Sequence, residues 1–175
     1  TVDQCVMPWM LSTMLQGIGI VMLFLLIALG TAPSYILVQA IANDGRTGMK
    51  ALLPMTVPLW QFTFSGLVFL SKWLVIGKYS RREVAVPSIF FLRWWFVDRL
   101  LCIWEYWVGR YIRGTPLIWL FYFMMGAKVP FSTNLDSFLH EFDLLDIGQE
   151  VSVEFPISCH KFGPWNPTKG VSVPM

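Results

Sequence analysis

The chain opens on one long apolar pattern. Between Asp3 and Asp44 no side chain carries a charge, and Pro8 and Pro33 bracket Trp9–Ala32. At about 1.5 Å per residue that stretch reaches about 36 Å, enough to cross a hydrocarbon core of about 30 Å. A second uncharged run lies between Lys50 and Lys72. Pro54 and Pro58 fall in its first turns, where a missing N–H does least harm. Trp60 and Trp73 fall near its ends, where indole rings favour the membrane–water interface. Asn43-Asp44-Gly45 is a turn signal between the two runs. The pattern predicts a two-helix transmembrane hairpin over residues 1–77. Gln16, Gln39 and Gln61 are among its few polar side chains and are expected to hydrogen-bond between helices.

Past Lys72 the pattern becomes basic and aromatic. Residues 72–128 hold nine basic and three acidic side chains among clustered Trp, Tyr and Phe, with a largely helical period. The longest charge-free run, Gly114–Ala127, is too short to span. Residues 78–125 are therefore expected to form helices at the membrane surface, with rings at headgroup level and arginines snorkelling. Nucleic acid is not an expected partner. The stretch directly follows a membrane span, and its aromatics cluster without the groove-like alternation that strand binding uses. After Lys128 the charge turns acidic. Ile147–Ser152 and Val153–Ser158 form two consecutive hexads with aliphatic first positions, and Val129 and Leu135 lie in the same sixfold phase. That spacing predicts a partial left-handed β-helix over 126–162. Residues 163–175, rich in Pro and Gly, read as an irregular tail. The expected fold class is a membrane α-helical hairpin plus interfacial helices, followed by a short left-handed parallel β-helix (hexapeptide-repeat) segment.

Composition narrows the function classes. Hydrophobic residues make up 55% and charged residues 14%, against about 25% charged in soluble domains. A wholly soluble enzyme and a disordered chain are both excluded. Cys5, Cys102 and Cys159 are odd in number and far apart, which excludes a disulfide scaffold. Thr1 opens the chain without a basic n-region or small-residue cleavage site, so a retained signal peptide is not expected. The placement of positive charge sets orientation. Lys72, Lys78, Arg81, Arg82 and Arg93 follow the second helix, whereas the hairpin tip has Arg46 and Lys50 offset by Asp44. Both chain ends are expected on the cytoplasmic side, or the matrix or stromal side in an organelle.

Several elements in order carry a resemblance. They are Lys72-Trp73, Gly77-Lys78-Tyr79, Arg93, Gly114-Thr115-Pro116, Gly126-Ala127-Lys128, Asp143, Ile147-Gly148 and His160. In this order they resemble the terminal membrane region of nonribosomal peptide synthetases of the ε-poly-lysine synthetase type, over about residues 55–162. The resemblance implies a membrane pair, aromatic–arginine helices and an acyltransferase-like hexapeptide β-helix. The chain departs from that pattern at Ser80-Arg81-Arg82-Glu83, where the family has Arg-Pro-Gly-Glu, and after Phe162, where further coils would follow.

His140 and His160 are the two histidines. His160 falls where the resembling family keeps a histidine, and an imidazole near pKa 6.5 suits a general base. One and a half coils offer no cleft for two substrates. The favoured expectation is an integral membrane accessory or structural subunit with an acyltransferase-like scaffold. It would dock within a larger membrane complex, for example a photosynthetic or respiratory one. The alternative is a fragment of an active membrane-bound acyl or aminoacyl transferase, with His160 as base and an acyl or aminoacyl thioester as donor. No metal is expected, because a three-histidine zinc site would need a third histidine. No cofactor is expected either: neither histidine lies in a membrane run, and no phosphate-binding glycine loop appears. The expected partners are the lipid bilayer and other membrane-protein subunits. Cysteine labelling of the 43–49 tip and of the 78–83 segment should give opposite sidedness; same-side labelling would exclude the hairpin.

Overall fold

The computed structural model describes residues 7–44, 50–79, 87–135, 138, 140, 142–148 and 151–153. Helix α1 covers Trp9–Asp44, and a 3-10 turn at Leu53–Met55 leads into α2, Thr56–Val75. Helix α3, Ile89–Trp104, passes through a π turn at Glu105–Gly109 into a last helical turn, Arg110–Ile112. Helix α4 is Pro116–Met125. Strand β1 (Asn134–Leu135), a 3-10 turn (Phe142–Leu144) and strand β2 (Ser152–Val153) follow.

Helices α1 and α2 are long and apolar enough to cross a membrane. Only 11% of the most apolar window of each is buried within the fold. A core helix of a water-soluble domain would be mostly covered, whereas here Phe24, Leu25, Phe62 and Leu74 all face outward. The hairpin is expected to end its first helix before Pro33, but α1 continues through Pro33 to Asp44. Proline removes one ladder hydrogen bond, and continuing the helix keeps the other backbone groups paired where water is scarce.

The two helices pack antiparallel. Thr63 Oγ1 donates to the Gly30 carbonyl at 2.8 Å, and Ser34 Oγ donates to the Thr56 carbonyl at 2.8 Å. Gly30 allows the close approach, since a Cβ there would sit 3.3 Å from the Phe64 ring. Among the described residues, the glutamines make no such bond between the helices. Gln39 Nε2 donates to the Tyr35 hydroxyl one turn away in the same helix, so threonine and serine tie the hairpin instead.

Helix α3 and its continuation through the π turn carry Arg93, Asp98, Arg99, Glu105 and Arg110, too many charges for a span, and α3 lies against both members of the hairpin. Ser88 caps it, accepting from the Phe91 N–H at 3.2 Å. Trp95 rests on α1, where a Cβ at Gly19 would lie 3.1 Å from its ring. Trp104 stacks on Phe121 with centroids 3.7 Å apart and donates from Nε1 to Ser65 Oγ at 2.8 Å. The Gly114-Thr115-Pro116 sequence turns the chain at a positive φ and places proline at the first helical position of α4.

Among the described residues the expected left-handed β-helix is not seen. Among the described residues, β1 and β2 make one parallel pair, Asn134 with Ser152 and Leu135 with Val153, beside an isolated bridge from Lys128 to Asp146. Two-residue strands do not build the walls of a prism. The apolar residues that would fill such a prism pack instead into the common core. Val129, Leu135, Phe142, Leu145 and Val153 join Trp104, Phe121, Tyr122 and Met125. The second hexad beyond Val153 and the 163–175 tail lie outside the described residues.

Removing the interhelical bond with Thr63→Val should weaken the hairpin by about 0.5–1.5 kcal/mol. Gly30→Leu, which drives a side chain into Phe64, should weaken it by more, in thermal unfolding of the detergent-solubilised chain.

Candidate functional site

Two polar clusters fasten the chain after α4 to the helices. The first centres on Lys72, near the end of α2. Its side chain is 0% exposed, and an ammonium has three donors to satisfy. Nζ donates to Asp143 Oδ2 at 2.8 Å and to the Met125 carbonyl at 2.8 Å, and lies 3.8 Å from the centroid of the Trp73 ring. The same Asp143 oxygen accepts from the Tyr79 backbone N–H at 3.0 Å. Trp73 Nε1 donates to the Met124 carbonyl at 3.3 Å.

Two glycines make this clasp possible. Gly77, at φ 72°, ends α2 with its N–H on the Lys72 carbonyl and turns the chain so that Tyr79 reaches Asp143. Gly126, at φ 101°, ends α4, and the Ala127 N–H returns to the Tyr122 carbonyl. A Cβ on Gly126 would collide with Asp143 Oδ1. The space a side chain would take is where the carboxylate sits.

The second cluster lies on α3 and the π turn. Gly109 forms a socket for Phe138, since a Cβ there would lie 2.7 Å from the ring. Phe138 meets Trp104 edge-on and lies under the Arg113 guanidinium at 4.7 Å. Two residues on, His140 is thereby held over α3. Its Nδ1 is 2.8 Å from Asp98 Oδ1 and its Nε2 is 3.7 Å from Glu105 Oε2. Asp98 Oδ2 accepts from Arg99 at 2.7 Å, and Glu105 Oε1 from Arg113 at 3.3 Å. Cys102 joins them: one donor atom each from Asp98, Cys102 and His140 fall within 4.8 Å of one another. Beside them Cys102, Glu105, Tyr106, Arg110 and Arg113 line a surface pocket of about 420 Å³.

The electrostatics of this cluster limit its chemistry. Burial pushes the Asp98 carboxyl up, but the hydrogen bond and charge of His140, together with Arg99, outweigh it and hold it below the usual range. For Cys102, burial and then the charge of Asp98 push the thiol up, with Glu105 adding to this against Arg99. A thiol raised by burial and by neighbouring carboxylates is poorly suited to act as a free nucleophile, which needs an electropositive setting.

His160, the expected base, lies outside the described residues, as do Cys5 and Cys159. Of the positions carrying the resemblance, Lys72, Trp73, Gly77, Tyr79, Gly126 and Asp143 come together in the clasp. Arg93 is exposed on α3, and Lys128 and Asp146 face each other at 3.8 Å with both side chains 80% exposed. The cluster around His140 was not singled out from sequence. Its one local signal was the spacing Asp98, Cys102, Glu105, which puts three titratable groups on one helix face. The chain matches no protein-family model, no curated protein and no solved structure.

Gly126→Ala should destabilise by about 2–4 kcal/mol, through left-handed backbone strain and the overlap with Asp143. Gly109→Ala should cost about 1–3 kcal/mol and displace Phe138. It should also speed the reaction of His140 with diethyl pyrocarbonate, read by mass spectrometry, whereas an unchanged rate would separate His140 from the Phe138 socket.

Proposed function

We propose that this chain is an integral membrane scaffold subunit. The α1–α2 hairpin holds it in the bilayer, with both ends on the cytoplasmic (or matrix or stromal) side. The α3–α4 layer, with the segment fastened to it, is a platform that docks within a larger membrane assembly. The assembly it serves is a larger membrane complex, for example a photosynthetic or respiratory one; a thioester donor and amide-bond formation belong to the alternative transferase reading.

The observation that supports this reading is the clasp. Lys72, Trp73, Gly77, Tyr79, Gly126 and Asp143 carry much of the resemblance, and each is committed to pairing, capping or close packing. Those groups hold architecture together and are not free to meet a substrate. Tyr106, Trp107 and Tyr111 stay exposed on and beside the π turn. Aromatic residues of this kind anchor protein interfaces.

A transferase reading has one observation in its favour, the His140–Asp98 pair beside the arginine-lined pocket. An imidazole oriented by a carboxylate is a general-base arrangement.

The two readings separate experimentally. Extracted from native membranes in mild detergent, the 20.1 kDa chain should migrate within a larger complex. Tyr106→Ser with Tyr111→Ser should weaken that association about tenfold or more while the fold is kept. Migration of the wild-type chain on its own would count against the scaffold reading. So would transfer from an aminoacyl thioester to an amine by the purified chain in nanodiscs, lost in His140→Ala.

A further inference from the structure

The cluster beside the pocket brings together donors of three kinds. Asp98 and Cys102 are four residues apart on α3, so they share a face one turn apart. His140 comes from the segment that follows α4, far along the chain, and is set over that face by the Phe138 socket. An oxygen, a sulfur and a ring nitrogen all fall within 4.8 Å of one another. The π turn begins one turn further on, at Glu105. Interruptions of this kind often mark functional sites in helices.

We infer that Asp98, Cys102 and His140 form a binding site for a divalent transition-metal ion, with zinc the ion their donor chemistry matches. The donor set decides among metals. A thiolate and an imidazole beside a single carboxylate suit zinc, whereas magnesium and calcium require oxygen shells. The geometry is close to what the ion needs. Around tetrahedral zinc, neighbouring nitrogen, oxygen and sulfur donors lie about 3.3–3.6 Å apart. His140 Nδ1 and Asp98 Oδ1 start 2.8 Å apart. No donor pair starts beyond 4.8 Å, so side-chain rotations of about 1 Å close the site.

The surroundings supply the outer contacts such a site uses. With Nδ1 on the metal, Nε2 faces the Glu105 carboxylate at 3.7 Å, the carboxylate–histidine–metal arrangement that fixes the ring. The second Asp98 oxygen is held by Arg99, and Glu105 is held by Arg113. Binding releases the Cys102 proton and the His140 Nδ1 proton to solvent, leaving the ring neutral with its proton on Nε2, and the resulting thiolate is neutralised by the ion. Three protein ligands leave a fourth position open toward the pocket, where water or an anion drawn by Arg110 and Arg113 completes the shell. A metal there also ties the C-terminal segment to α3 independently of the Lys72 clasp.

This inference does not rest on the scaffold reading, and it excludes His140 as a free base, because the metal takes the Nδ1 lone pair and Nε2 then carries the ring proton toward Glu105. The test uses the full chain in nanodiscs with zinc alone as probe, followed by cobalt(II). Equilibrium dialysis should give about one zinc per chain, with a tenfold or greater loss of affinity in Cys102→Ala and in His140→Ala. Glu105→Gln, which keeps all three ligands, should weaken binding about 10–100-fold. Cobalt(II) should show a thiolate-to-metal charge-transfer band that Cys102→Ser abolishes with the helical spectrum unchanged. Folded wild-type chain that takes up less than about a tenth of an equivalent of zinc would overturn the assignment. One equivalent of zinc unaffected by the Cys102 and His140 changes would overturn it too, by placing the ion elsewhere.

Discussion

A lysine ammonium with no exposed surface is the constraint around which the chain after α4 is arranged. Lys72 sits at the end of a helix whose other apolar faces look outward. Enclosing an unpaired charge costs several kcal/mol, so a buried ammonium is tolerated only with a matched counter-charge and filled donors. Asp143 supplies the charge, Met125 a carbonyl and Trp73 a π face. Trp73 belongs to the same helix, but the other partners bring separate elements to the same point. Met125 fixes the end of α4, and Asp143 fixes the 3-10 turn that follows it. The Tyr79 amide, which shares the Asp143 oxygen, fixes the chain leaving α2. The glycines follow from this arrangement: Gly126 is bare because the carboxylate occupies its side-chain position.

A second, weaker fastening lies along the same segment. Phe138 fills the hollow at Gly109, and His140 reaches the acidic face of α3. The Arg99 and Arg113 pairs on its rim are partly exposed and add little stability by themselves. They do hold the outer oxygens of Asp98 and Glu105 and thereby set where the inner ones point. The clasp holds the segment in place, and the α3 cluster puts chemistry beside a pocket that opens outward.

Much of the helical part was legible in the order of residues. The charge-free runs, one bracketed by Pro8 and Pro33 and one by Lys50 and Lys72, located both long helices. Pro33 misled because in an apolar run a helix loses less by carrying a proline than by ending. The sixfold phase of Val129, Leu135, Ile147 and Val153 misled for another reason. Regular aliphatic spacing says which residues are buried, not what covers them. Here Trp104, Phe121 and Tyr122 provide the cover that further coils would have provided. The site residues were the least legible. Lys72 and Asp143, or Cys102 and His140, are distant in sequence, and a short spacing on one helix could show only half of either cluster.

The central claim is that the buried Lys72–Asp143 pair fastens the segment after α4 to the hairpin, and a double-mutant cycle tests it most directly. Thermal and denaturant unfolding of the chain in nanodiscs would compare Lys72→Met, Asp143→Leu and the double variant with wild type. Each single change strands a buried charge and should destabilise by about 3–5 kcal/mol. The double variant removes both charges and should recover much of that loss, giving a coupling of about 2 kcal/mol or more. Single variants within about 0.5 kcal/mol of wild type, or losses that simply add in the double variant, would contradict the account.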